Sequence, residues 1–155
     1  MIEANPEFKK AFFKRYVMTP FPRLEFRNGS IWWARSTIKQ GKYLHGYDYD
    51  YVSNDEGSQD KDLGLVIDEV LQMRLLDRGG QLDCISTGKR GSEFNRRFAE
   101  ARNSQSQFAY QGSSTDNPHI DQGALAELMK TMPQALAEER ILGGERSSEA
   151  RIQAD

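Results

Sequence analysis

Tyr47-Asp48-Tyr49-Asp50-Tyr51-Val52-Ser53-Asn54-Asp55-Glu56 is the stretch on which the fold turns. Aromatic and β-branched residues lead up to an acidic pair, which predicts a strand over residues 49–54 with Asp55 and Glu56 at its tip. Further on, Leu82-Asp83-Cys84-Ile85-Ser86-Thr87-Gly88 predicts a second strand over 82–86 that ends in a polar tip. Between them, residues 62–77 set Leu63, Val66, Val70, Met73 and Leu76 on one helical face, and Gly79-Gly80 closes that helix. Strand, helix, strand predicts a parallel pair joined by a crossover. Chemistry in such sheets collects at the carboxyl ends of the strands. Asp55-Glu56 and Ser86-Thr87 both fall there.

A rival register exists. Leu63-Gly64-Leu65-Val66-Ile67-Asp68-Glu69 also reads as an apolar run ending in Asp-Glu. Its apolar spacing continues helically through Val70, Met73 and Leu76, and the chain left before the next strand is too short for a crossover. The helix reading is therefore preferred.

Working outward, residues 7–16 have helical spacing in Phe8, Phe12 and Phe13, and Pro20 and Pro22 end that segment. Residues 23–27 and 30–35 flank Asn28-Gly29, the signature of a β-hairpin. Residues 36–46 read as loop. On the other side, 92–102 reads as a helix with Phe94 and Phe98 one turn apart, and 107–110 as a further short strand. Asp116-Asn117-Pro118 is a turn. Asp121 caps a helix over 121–131 that carries Leu125, Leu128 and Met129. Pro133 opens a last helix at its first position, running to about Ile141, with Gly143-Gly144 as its stop. Residues 1–144 are expected to form one domain, and 145–155 a polar, flexible tail with too little apolar surface to fold alone.

Composition sets bounds. The chain has 155 residues, of which 37% are hydrophobic and 28% charged. Its mean hydropathy of −0.74 is lean for a self-sufficient core. No apolar run is long enough to cross a membrane. The opening Met-Ile-Glu-Ala-Asn-Pro lacks the basic-then-apolar pattern of a secretory leader. The single cysteine, Cys84, has no internal disulfide partner and reads as a small buried hydrophobe, which fits an intracellular setting. Charge is uneven. Lys9, Lys10, Lys14, Arg15, Arg23, Arg27, Arg35, Lys39 and Lys42 face only Glu3, Glu7 and Glu25, and acidic residues dominate from Asp48 to Asp68. That asymmetry can mark a nucleic-acid-facing end, but a solvated helix face and a charged hairpin are the preferred reading.

An acidic residue at a strand tip supplies the hard oxygen that magnesium prefers, and a second carboxylate beside it can orient an attacking water. Asp55 and Glu56 are the residues for these roles; the plain alternative is a turn after a strand. Other metals fit poorly. The acidic cluster misses the EF-hand spacing, and His45 and His119 are far apart in sequence with no cysteine partners. A phosphate loop requires Gly-x-x-x-x-Gly-Lys-Ser/Thr. Gly41-Lys42 and Gly88-Lys89 both fail that pattern, so no nucleotide-binding loop is assigned in this chain.

These residues resemble the ATPase domain of the large terminase subunit of tailed bacteriophages, the motor that packages DNA into capsids. The resemblance runs from about Phe26 to Gly144. Gly29-Ser30-Ile31-Trp32-Trp33-Ala34-Arg35-Ser36 looks like the family's Gly-Ser, strand, Ser segment. Leu44-His45-Gly46 and the strand to Asp55-Glu56 look like the approach to its Walker B pair. Leu75-Leu76-Asp77-Arg78-Gly79-Gly80 stands where the family has a leucine-rich helix end, and Ile85-Ser86-Thr87-Gly88 resembles its coupling motif. Asp116-Asn117-Pro118-His119-Ile120 and Glu139-Arg140-Ile141-Leu142-Gly143-Gly144 resemble the exit towards the nuclease.

The resemblance implies an α/β fold: part of a P-loop NTPase (ASCE) parallel sheet with flanking helices, preceded by the N-terminal hairpin. It implies Mg2+ and ATP as cofactors, Asp55 as the magnesium ligand, Glu56 as the catalytic residue activating water, and Ser86 and Thr87 as the coupling motif. It implies double-stranded DNA, the small terminase subunit and the portal as partners, a companion chain carrying Walker A, and the host cytoplasm as the setting. Walker A and the nuclease domain are missing from these 155 residues, and Asp50, Ser53 and Asn54 are polar where a central strand is usually apolar. The expectation is an internal piece of a terminase, from a truncated gene, a split gene or a degraded prophage copy, inactive by itself. A fragment of another P-loop motor or helicase, and a non-catalytic interaction protein, stay open.

Overall fold

The computed structural model describes residues 5–143; the tail expected at 145–155 lies outside them. The chain divides into two units, Met1–Gly46 and Tyr47–Asp155. It is mixed α/β, with a three-stranded antiparallel sheet in the first unit and a two-stranded parallel sheet with helices in the second.

In the first unit, Asn5 accepts the Phe8 N–H at 3.0 Å, and Pro6 sits in the opening turn, so α1 (Pro6–Phe12) starts as capping chemistry dictates. The helix expected to reach residue 16 stops at Phe12. From there β1 (Phe13–Val17) runs antiparallel to β2 (Arg23–Phe26), which pairs in turn with β3 (Ile31–Trp33). Phe13 lies opposite Phe26, and this non-local ladder outweighs the local helical spacing of the phenylalanines. The expected hairpin is therefore two strands of a three-stranded sheet. Its turn has Gly29 at a φ of 91°, a conformation that glycine adopts without strain, and the Asn28 side chain accepts the Ser30 N–H at 3.0 Å.

One cluster anchors this unit. The Arg35 guanidinium lies 4.0 Å from the Phe21 ring centre and 4.3 Å from that of Trp33, and Arg23 covers Trp33 at 5.2 Å. Each such contact contributes about 0.5–2 kcal/mol, depending on desolvation. Leu44, at the end of the short 3-10 turn Lys42–Leu44, is the one buried apolar side chain of this unit among the described residues.

In the second unit, β4 (Tyr51–Asp55) and β5 (Gln81–Ile85) pair in parallel, with Tyr51 opposite Gln81 and Asp55 opposite Ile85. The crossover between them is helical, so the rival strand at 65–70 is absent. It begins as α2 (Leu63–Leu65), widens into a π-helical stretch at Val66–Leu71, and returns to α geometry as α3 (Gln72–Leu76). Leu63, Val66, Ile67, Val70, Leu71 and Leu75 are all buried. Each fully buried side chain of this type contributes about 1.5–3 kcal/mol.

The helix ends tightly. Gly80 donates its N–H to the Leu75 carbonyl at 2.8 Å, and a Cβ at Gly80 would stand 2.5 Å from the Tyr49 carbonyl oxygen and 2.7 Å from a Leu75 methyl. Only glycine lets the helix end come this close to the start of β4.

Three helices follow. α4 (Glu93–Arg102) is capped by Ser92, α5 (Gln122–Thr131) by Asp121, and α6 (Gln134–Arg140) follows Pro133, which occupies the cap rather than the expected first helical position. The strand expected at 107–110 does not form. No ladder partner reaches it, and Phe108 and Tyr110 are 88% and 75% exposed. Among the described residues, no helix is long and apolar enough to cross a membrane.

Candidate functional site

Because β4 and β5 run in the same direction, their carboxyl ends emerge at the same edge. The Asp55 carboxylate accepts the Glu56 N–H at 2.9 Å, closing the strand with a local turn. Glu56 takes a left-handed φ of 55°, which costs a non-glycine residue about 1–2 kcal/mol and swings the chain off the sheet. Asp55 and Glu56 are both exposed.

The chain then makes the 3-10 turn Gly57–Gln59, which buries Ser58. Here the two strand tips are tied together. The Ser58 N–H donates to Ser86 Oγ at 3.1 Å, and the Ser86 hydroxyl donates to Ser58 Oγ at 2.7 Å. The loop carrying the acidic pair is thus fastened to Ser86, the residue after β5. Ser58 gave no sequence signal, because a serine in a polar loop is unremarked until its partner is known. Asn54, the residue before the pair, is buried, and its Oδ1 has no hydrogen-bond partner among the described residues.

Thr87 follows Ser86 and lines a cavity of about 530 Å³. Its walls combine Ser86, Thr87 and Gly88 with Phe94, Phe98 and Arg102 of α4, Tyr110 and Gln111, and Glu139 and Arg140 of α6. Glu139 is buried and pairs with Arg140 at 3.6 Å. The Ser113 hydroxyl and the Ser114 N–H both donate to the Ile141 carbonyl, at 3.0 and 2.7 Å, fixing one wall.

An ion-pair network joins α4 to the crossover. Glu93 accepts from Arg96 and Arg97, and Arg97 reaches Asp68 on the π-helical stretch at 2.6 Å. The Arg96 hydrogen bond, aided by Arg97, holds the Glu93 carboxyl below its usual range against the opposing effect of burial. Burial disfavours the Arg97 charge, but Asp68 and Glu93 outweigh it and raise its pKa. On the exposed face of the strand pair, the Tyr51 hydroxyl donates to Asp83 at 2.5 Å, and this bond raises the phenol's pKa. Cys84, expected to be buried, is half-buried, and burial pushes its thiol up.

Among the described residues, no group of three His, Cys, Asp or Glu side chains converges on a metal position. Asp55 commits one oxygen to the Glu56 N–H and is otherwise open to solvent. That donor set fits magnesium in its common mode, in which one or two carboxylates act with phosphates and water, and it does not make a self-contained cage.

The chain matches no protein-family model, no curated protein and no solved structure.

Proposed function

We propose that Tyr47–Asp155 is the acidic-pair half of an ATP-driven DNA-translocating motor of the phage terminase kind, built on a partial P-loop-type sheet. One observation carries the reading: parallel β4 and β5 end at one edge, and the Ser58–Ser86 hydrogen bonds tie the Asp55-Glu56 turn to the tip of β5. In this reading Asp55 holds magnesium, which when bound offsets charge on the transferred phosphoryl group. Glu56 orients the attacking water and takes its proton. Ser86 registers movement of the acidic turn through its bonds to Ser58, and Thr87 extends that link into the cavity beside α4. Double-stranded DNA, a small terminase subunit and a portal are the partners the reading entails, and a companion segment supplies the phosphate loop.

A second reading, a non-catalytic interaction protein, is favoured by the exposure of both carboxylates.

Phosphate release separates the two. The chain mixed with magnesium and ATP is expected to give no turnover, because nothing fixes the β and γ phosphates in line with the water. Adding a segment that carries a Walker A strand and loop is expected to give turnover that Glu56→Gln abolishes. Turnover by the chain alone that Glu56→Gln removes would overturn the half-site reading. Turnover indifferent to Glu56 would overturn the assignment of the acidic pair.

A further inference from the structure

The N-terminal sheet has two unlike faces. Tyr16, Leu24 and Trp32 stand opposite one another across β1, β2 and β3, and directly paired residues share a face. Phe26 is two residues from Leu24 and so lies on that face, with Phe13 opposite it. The rings form a continuous row. Phe12 to Phe8 is 4.6 Å between centres, Phe8 to Phe13 is 5.8 Å, Phe13 to Phe26 is 5.1 Å, and Phe26 to Trp32 is 5.6 Å. Inside a core such a row would be covered. Here Trp32 is 69% exposed, Tyr16 62% and Phe12 54%. The other face uses up its own aromatics, since Trp33 is covered by Arg23 and Arg35, and Glu25 is held there by Arg23 at 3.0 Å. The ring-bearing strand face therefore carries no carboxylate. Lys10 and Lys14 are exposed in the same unit, as is Glu7, and Arg27 donates its Nε–H to the Lys10 carbonyl at 2.7 Å; basic residues outnumber acidic ones throughout this unit.

We infer that this face binds single-stranded DNA. Bases stack on Trp32 and Tyr16, and Lys10, Lys14 and Arg27 meet the phosphates. Exposed aromatic rings within a cationic surface are what a base-and-phosphate polymer recognises, because every base has a π face and every linkage a negative charge. Tyr16 and Trp32 are two strands apart, about 10 Å across the sheet, a span that an extended strand crosses in a couple of nucleotides. A duplex keeps its bases stacked on one another and offers these rings nothing to stack with. Stacking is indifferent to the sugar, so the choice of DNA over RNA rests on the function proposed above.

The test is titration of the full chain with labelled oligothymidylate at low salt, without nucleotide, following anisotropy and tryptophan emission. Saturable binding is expected, with log K falling as log salt rises by about 0.7 per phosphate engaged. Trp32→Ala and Tyr16→Ala are each expected to weaken binding about tenfold or more, with Trp32→Phe recovering most of the loss. Lys10→Glu with Lys14→Glu is expected to weaken binding and flatten the salt slope. Unchanged affinity in Trp32→Ala and Tyr16→Ala chains of native circular dichroism would overturn the inference. So would tighter binding to a duplex or to oligouridylate, or burial of Trp32 by self-association or by zwitterionic vesicles. With no nucleotide present, failure here leaves the acidic-pair half-site untouched, and failure of phosphate release leaves the titration interpretable.

Discussion

The two units differ in what they bury. Tyr47–Asp155 buries Leu63, Val66, Ile67, Val70, Leu71 and Leu75 of its crossover helix, while Met73 and Leu76 stay exposed. Met1–Gly46 is rich in aromatic residues, has Leu44 as its one buried apolar side chain among the described residues, and displays Trp32, Tyr16 and Phe12. The lesson is that hydrophobic content alone does not locate a core. Leucine and valine contribute by leaving water, whereas aromatic rings also contribute by stacking and by accepting cations, so they stay useful while exposed.

That contrast is broken or sharpened by substitution. The largest effect is expected at Leu63, which is fully buried. Leu63→Ala should cost the second unit about 2–5 kcal/mol, read as a lowered helical melt in circular dichroism. Next comes Gly80→Ala, whose methyl would collide with the Tyr49 and Asp50 carbonyls and with Leu75; a loss of about 1–3 kcal/mol is expected in the same melt. Ser86→Ala strands the Ser58 N–H and hydroxyl at the strand tips and should cost about 1–3 kcal/mol, whereas Ser86→Thr, which keeps the hydroxyl, should cost less.

In the first unit, Trp32→Ala should cost only about 0.5–1.5 kcal/mol, the worth of its edge contact with Phe26, although it removes a whole indole ring. A loss as large as that of Leu63→Ala would mean that the aromatic face is a core after all.

The smallest effect concerns pH. Glu93 has a folded pKa below its ordinary 4.5, so its stabilising contribution is present above that value and lost as pH falls through the folded pKa. The pairs are solvent-screened, so the loss should be about 0.3–1 kcal/mol, and Glu93→Gln should remove that part of the acid dependence.

Much of the second unit could be read from the sequence. Apolar spacing over 62–77, the Gly79-Gly80 stop and the acidic and Ser-Thr tips are local signals for strand, helix and strand, but the expected face held only in part: Leu63, Val66 and Val70 are buried, whereas Met73 and Leu76 are exposed and Ile67, Leu71 and Leu75 are buried instead. Asp121 as a cap is equally local. What escaped reading depends on partners distant in the chain. β1 is a strand because Phe13 and Tyr16 find Phe26 and Leu24 across a turn, whereas local phenylalanine spacing argues helix. Ser58 matters because Ser86 is there to bind it. The π-helical stretch at Val66–Leu71 left no mark in the apolar periodicity, and the strand pattern at 107–110 lacked the one thing a strand requires, a neighbour.

Manganese, a paramagnetic stand-in for magnesium, tests most directly whether the two strand tips form one half-site. In a titration of the isotopically labelled chain, amide signals of residues 55–58 and 86–87 should broaden together at the lowest metal concentrations, and Asp55→Asn should abolish that selectivity. Broadening confined to the tip of β4, or centred on Asp48, Asp50 or Asp60 instead, would contradict the claim that Asp55-Glu56 and Ser86-Thr87 act as a single site.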